Sequence, residues 1–138
     1  MTPQDSIALI TTMFAAFCQP DTSAAKLARF FTPDYIQHVD GKQLDLTAFL
    51  DHFRALQAVL RRLNITIEHV VSDGTTAATV HIAEAEKRDG TRSRIKVVAV
   101  YVLRDGRIAL VDELTRVLDG AAGDADLGSL GTTTTAAA

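Results

Sequence analysis

The sequence predicts an α+β cone, with three N-terminal helices packed on a curved antiparallel sheet of four strands. Three observations lead there. Apolar residues recur at three- and four-residue spacing as far as Leu60, and the period changes to two after Arg62. Three Asp-Gly pairs, at Asp73-Gly74, Asp89-Gly90 and Asp105-Gly106, then separate the β-rich runs.

Thr2-Pro3-Gln4-Asp5 reads as a helix start, with Thr2 as cap, Pro3 at the first helical position and Asp5 at the positive end. Ile7, Ile10, Phe14 and Phe17 form its buried stripe, and Pro20 ends it. Ser23 caps a second, shorter helix carrying Leu27, Phe30 and Phe31. It stops at Thr32-Pro33, because a residue before proline is pushed out of the α region. Asp34 to Leu44 has no helical period and turns at Asp40-Gly41. Asp45 caps a third helix whose stripe is Phe49, Phe53, Leu56 and Leu60.

Four strands follow: the alternating run around Ile65 to Val71, then Thr76–Lys87, Arg92–Arg104 and Arg107–Leu118, expected as an antiparallel meander. A strongly twisted sheet of this kind curls round its helices and can leave a cavity.

At 138 residues the chain fits one domain, expected over residues 1–118. Residues 119–138 are mostly Gly, Ala, Asp and Thr with little large and apolar to bury, so a disordered tail is expected. The tail's three acids, Asp119, Asp124 and Asp126, account for the whole net charge of −3. The rest is formally neutral, without the basic stripe of a nucleic-acid binder. No stretch approaches the length of a membrane span. The acidic N-terminal residues are not those of a signal peptide, and the single Cys18 has no internal disulfide partner, so a cytoplasmic setting is expected.

Three strings carry a resemblance: "FFTPDYIQHVDG" after the second helix, "LTAFLDHFRAL" in the third and "DGRIALVDELTRVL" in the last strand. The chain resembles the nuclear transport factor 2-like superfamily, within it the SnoaL-like polyketide cyclase and ketosteroid isomerase branch. The resemblance covers residues 1–118 and implies the cone fold. It further implies a small hydrophobic ligand in the interior and cofactor-independent acid/base chemistry of isomerase, cyclase or dehydratase type. In the isomerases a proton-moving carboxylate lies three residues before a glycine; counted back from Gly41, that position is His38 here. In the cyclases the last strand carries an acid after a Trp; the matching positions are Glu113 and Asp112, so the Trp is absent and Glu stands for Asp.

His38 titrates near neutrality and suits proton abstraction beside a carbonyl, whereas a loop histidine bonded to the backbone is the plain alternative. Glu113 shares a strand face with Ala109, Val111 and Thr115, opposite Ile108, Leu110, Asp112, Leu114 and Arg116. In an apolar cavity its pKa would rise, making it an acid/base near neutrality; a cross-strand salt bridge to Arg94 or Lys96 is the competing use. Tyr35, Phe17, Phe53 and Val111 are expected to line the ligand space. His81 and Glu84 fall on opposite faces of one strand, and parity does not say which faces inward. His38, Asp40, His52 and His81 match no metal-site spacing, so neither metal nor cofactor is expected. Val98, Val100 and Val102 alternate with Val97, Ala99 and Tyr101; helices cover one such face, so a homodimer through the other is expected. A non-catalytic ligand carrier and a dimeric interaction module are the readings that compete with an enzyme.

Overall fold

The computed structural model describes residues 1–120. Three helices, α1 (Pro3–Cys18), α2 (Ala24–Ala28) and α3 (Leu46–Val59), lie against a sheet of six strands: β1 (Phe31–Val39), β2 (Lys42–Asp45), β3 (Leu60–Ser72), β4 (Thr76–Lys87), β5 (Arg92–Arg104) and β6 (Arg107–Asp119). The caps are those the residues dictate. Thr2 and Asp5 form a reciprocal capping box on α1, Ser23 accepts from Lys26 N at 3.1 Å on α2, and Asp45 accepts from Ala48 N at 2.8 Å on α3.

The spatial order is β2-β1-β6-β5-β4-β3. The expected four-stranded antiparallel sheet is therefore corrected to a mixed sheet of six. The additional strands come from the segment with no helical period, where a hairpin turns at Asp40 and Gly41, both with positive φ. β1 then runs parallel to β6, pairing Gln37 with Val111, His38 with Asp112 and Val39 with Glu113. The meander β3 to β6 is antiparallel throughout. The tail expected to be disordered lies outside the described residues beyond Gly120.

The helices cover one face of the sheet. Val97, Ala99, Tyr101 and Leu103 of β5 are buried there with Ile10 and Met13 of α1, Leu27 of α2 and Phe49, Phe53 and Leu56 of α3. On the other face Val98 is 50% exposed and Leu114 68%. β6 departs from simple alternation at one point. Val102 pairs with Leu110 but Leu103 with Ile108, which leaves Ala109 as the extra residue of an irregularity. Ile108 and Val111 thus both point into the core, whereas strict parity puts Ile108 outside.

Candidate functional site

Between α1, α3 and the concave sheet face lies a cavity of about 130 Å³. Aliphatic side chains such as Leu56, Leu63 and Val97 share its walls with aromatic rings: Phe14 and Phe17 from α1, Phe31 and Tyr35 from β1, Phe49 from α3 and Tyr101 from β5. Phe31 meets Tyr35 and Phe49 at ring-centroid distances of 4.6 and 4.9 Å, so this wall is one packed aromatic cluster.

Into that apolar space β6 delivers Glu113. Burial pushes its carboxyl up to about 7; the hydrogen bond from Gln37 opposes the rise, and the charges of Asp40 and Asp112 add to it. Gln37 donates from Nε2 to Glu113 Oε1 at 2.5 Å, across the parallel β1–β6 pair. The other end of the same carboxamide, Oε1, is buried with no hydrogen-bond partner among the described residues. Asp40 secures the strand around Glu113 from outside. Its N–H donates to Glu113 O at 3.1 Å, its Oδ1 accepts from Thr115 N at 2.8 Å, and its Oδ2 accepts from Thr115 Oγ1.

A second polar group sits on β4 and β5. Thr79 Oγ1 lies 2.8 Å from the Tyr101 hydroxyl and 2.9 Å from His81 Nδ1, and all three residues are buried. His81 also packs its ring 4.7 Å from Phe14. Desolvation holds the imidazole down at about 4, hence neutral at physiological pH. With Nδ1 engaged by Thr79, Nε2 is the ring nitrogen left for the cavity that His81 lines. Burial raises the phenols of Tyr35 and Tyr101, and the nearby Glu113 charge raises both further.

Of the residues read from the sequence, Glu113, Tyr35, Phe17 and Val111 line this cavity. Phe53 does not. It is buried behind the wall, with its ring 5.3 Å from Phe17. His38 requires the larger correction. Along β1 Tyr35, Gln37 and Val39 are buried toward the core, so His38 belongs to the opposite face and is absent from the cavity wall. The pairing of an imidazole with Glu113 on β1 is replaced by a pairing with the neighbouring carboxamide. The salt bridges considered for Glu113 are not formed: Arg94 lies 3.9 Å from Glu84 and Lys96 lies 3.7 Å from Glu68. Of the undecided pair, His81 faces inward. Gln37, His52, Tyr101 and Thr115 are polar residues of the cavity wall that the sequence reading did not select, and Thr79 is buried beside His81 and Tyr101. The signal available was alternation along β1, where Gln37 shares parity with Tyr35. Among the described residues no group of three or more His, Cys, Asp or Glu side chains is placed to hold a metal ion. No described helix is long and apolar enough to cross a membrane.

Comparison with known proteins agrees with this architecture. Residues 10–111 match the model of the SnoaL-like domain. The chain is 49% identical over 127 residues to the uncharacterized protein C11D3.04c of Schizosaccharomyces pombe, covering 92% of this chain and 98% of that one. Among solved structures it is similar to a Mycobacterium tuberculosis LEH-like epoxide hydrolase, with TM-score 0.71, 16% identity and coverage of 83% and 84%. It is also similar to IdmH of Streptomyces antibioticus, described as a candidate polyketide cyclase, with TM-score 0.69, 21% identity and coverage of 81% and 91%. TsrD of Streptomyces laurentii gives TM-score 0.73 at 17% identity, with coverage of 94% and 99%. At such identities these structures share the fold, which by itself assigns no reaction. The family match spans most of the chain, and with it the chain belongs to the SnoaL-like family on the nuclear transport factor 2-like fold.

Proposed function

We propose that the protein binds a small hydrophobic ligand in the cavity and moves a proton on it without a cofactor, with Glu113 as the acid/base. The observation that supports this most directly is the carboxyl itself: half-buried at an apolar cavity, oriented by Gln37, and poised near neutrality. A general base works best when its pKa lies close to the operating pH. The ionised Glu113 takes a proton from a carbon beside a ligand carbonyl, and the electron pair moves onto the carbonyl oxygen as an enolate. Neutral His81, in the tautomer whose Nδ1 accepts from Thr79, presents Nε2–H to that oxygen. Return of the proton from Glu113 to a different carbon completes an isomerisation; internal bond formation by the enolate completes a cyclisation. His38, on the other face of β1, has no part in this scheme.

The test follows α-proton exchange of cyclohexanone in deuterated buffer by NMR. Exchange above the buffer rate that disappears in Glu113→Gln supports the mechanism. Equal exchange in both proteins removes it. A ligand that co-purifies and is returned chemically unchanged would favour the carrier reading.

We also propose that two copies meet through the outer sheet face. Val98 and Leu114 pair across β5 and β6, with Val100 and Val102 beside them, all exposed. Asp112 and Arg116 flank Leu114 at equal steps along β6. A twofold axis through Leu114 therefore sets each acid against the partner's base.

A further inference from the structure

We infer that the ligand of this cavity is an uncharged single-ring compound that directs one hydroxyl or enolic donor at Gln37 Oε1. The inference deepens the proposed function and rests on its placing of the ligand between α1 and the sheet.

Size comes first. The free space is about 130 Å³. An apolar cavity of roughly 150 Å³ is known to accommodate one benzene ring, so one six-membered ring with a small substituent fills this one. Fused rings require the walls to retreat, and the walls belong to the packed core: Phe31 is 2% exposed and Phe49 5%. The flanking phenylalanines, Phe14 and Phe17 among them, offer faces and edges to a flat or half-flat ring.

Charge comes next. Among the described residues no Lys or Arg side chain lines the cavity, His81 is neutral, and Glu113 is the one carboxylic acid. An anionic ligand would meet no lysine or arginine and would lie beside a carboxylate, in a place where desolvation is poorly repaid.

The donor follows from Gln37. This residue is 5% exposed and spends its N–H on Glu113, while its Oε1 has no partner among the described residues. A buried acceptor left unpaired is costly, and a ligand hydroxyl or enol at that point satisfies it. The same hydroxyl then lies next to the Glu113 carboxyl, where an enol or its keto tautomer exchanges protons.

The experiment titrates the full-length isotope-labelled chain with phenol, toluene, 1-naphthol and benzoate, following backbone amides of Gln37, Val97 and Tyr101 by NMR. Phenol is expected to bind saturably and about ten-fold more tightly than toluene, its near-isostere without a donor. In Gln37→Leu that preference is expected to reverse. Naphthol and benzoate are expected to leave these amides unmoved at the concentrations that saturate phenol. Toluene binding wild type as tightly as phenol overturns the donor assignment; naphthol or benzoate binding as tightly as phenol overturns the size or charge assignment; no binding by any probe overturns the whole. The four arms involve no turnover. Ring binding without ketone exchange therefore rejects the catalytic reading alone, and ketone exchange without the phenol preference rejects this inference alone.

Discussion

Gln37 reaches across a parallel strand pair and donates its carboxamide N–H to Glu113 at 2.5 Å, inside a cavity that is otherwise mostly apolar. The bond favours the ionised form of a carboxyl that burial is driving the other way. It therefore sets how far above its ordinary value of 4.5 the group comes to rest.

Replacing Gln37 by Leu keeps the volume and removes that bond. The Glu113 carboxyl is then expected to titrate higher than about 7, by about one further pH unit, since a hydrogen bond to a charged group contributes roughly 1.5 to 3 kcal/mol before relaxation. A carboxyl-carbon NMR titration reads this directly. An unchanged or lower value would show that Gln37 does not hold the carboxylate.

The same carboxyl gives stability a pH dependence of definite sign. The folded chain keeps the proton up to about 7, while the unfolded chain releases it near 4.5. Between those values the unfolded state binds fewer protons, so stability falls as pH rises and levels off above 7. The total fall is about 3 kcal/mol at most, less where the cavity admits water. Glu113→Gln mimics the protonated acid. It is expected to match wild type near pH 5 and exceed it by about 2 kcal/mol at pH 8 in urea denaturation. A variant less stable than wild type at pH 8 contradicts this.

Much of this arrangement was legible in the sequence and some was not, for physical reasons. Caps and periodic stripes mark the helices, and Asp-Gly pairs mark every turn of the β3 to β6 meander, because both are local signals. β1 is different. Its partner β6 is about 75 residues downstream, and its inward set includes the polar Gln37. Its short alternation over Tyr35, Gln37 and Val39 is not a purely apolar one, so no hydrophobic period announces it. Assigning His38 instead of Gln37 is an error of one residue, and in a strand one residue exchanges the two faces. Ala109 has the same character, since an irregularity in β6 cannot be seen in alternation alone. His81 was undecided because both faces of β4 carry apolar residues. The Thr79–Tyr101 hydroxyl pair settles it by giving Nδ1 a partner on the inside.

Thr79 joins an imidazole to a phenol, and neither has another hydrogen-bond partner among those described above. Thr79→Val keeps the shape and leaves both buried groups unsatisfied, at an expected cost of about 1 to 3 kcal/mol in urea denaturation. Thr79→Ser is expected to restore most of it. Nitrogen NMR of His81 should show a mixture of tautomers in the Val variant and one in wild type; a single tautomer in both would detach Thr79 from the role proposed for His81.

The outer face gives a separate prediction. Leu114 is 68% exposed, so Leu114→Lys should leave the fold unchanged by circular dichroism. Light scattering at micromolar concentration is expected to show a dimer for wild type and a monomer for the variant, because two lysines would meet near the axis. A wild-type monomer contradicts the proposed assembly.

Asp40 acts on the site through both geometry and charge, and one substitution separates them. Its carboxylate accepts from the N–H and hydroxyl of Thr115, its own N–H donates to Glu113 O, and its charge raises the Glu113 carboxyl. Asn at this position tolerates the left-handed backbone that Asp40 adopts at φ 50° and retains one acceptor oxygen. Asp40→Asn should therefore fold, lose about 1 kcal/mol of stability, and move the Glu113 titration downward from about 7, because the repelling charge has gone. The ascending, acid-side limb of a ketone-exchange pH profile should move down with it. Asp40→Gly keeps the backbone conformation but drops both side-chain acceptors, so it should lower the titration by the same electrostatic route and destabilise more. If both variants leave the Glu113 titration unmoved while destabilising the fold, Asp40 is a structural clamp on β6 with no electrostatic hold on the carboxyl.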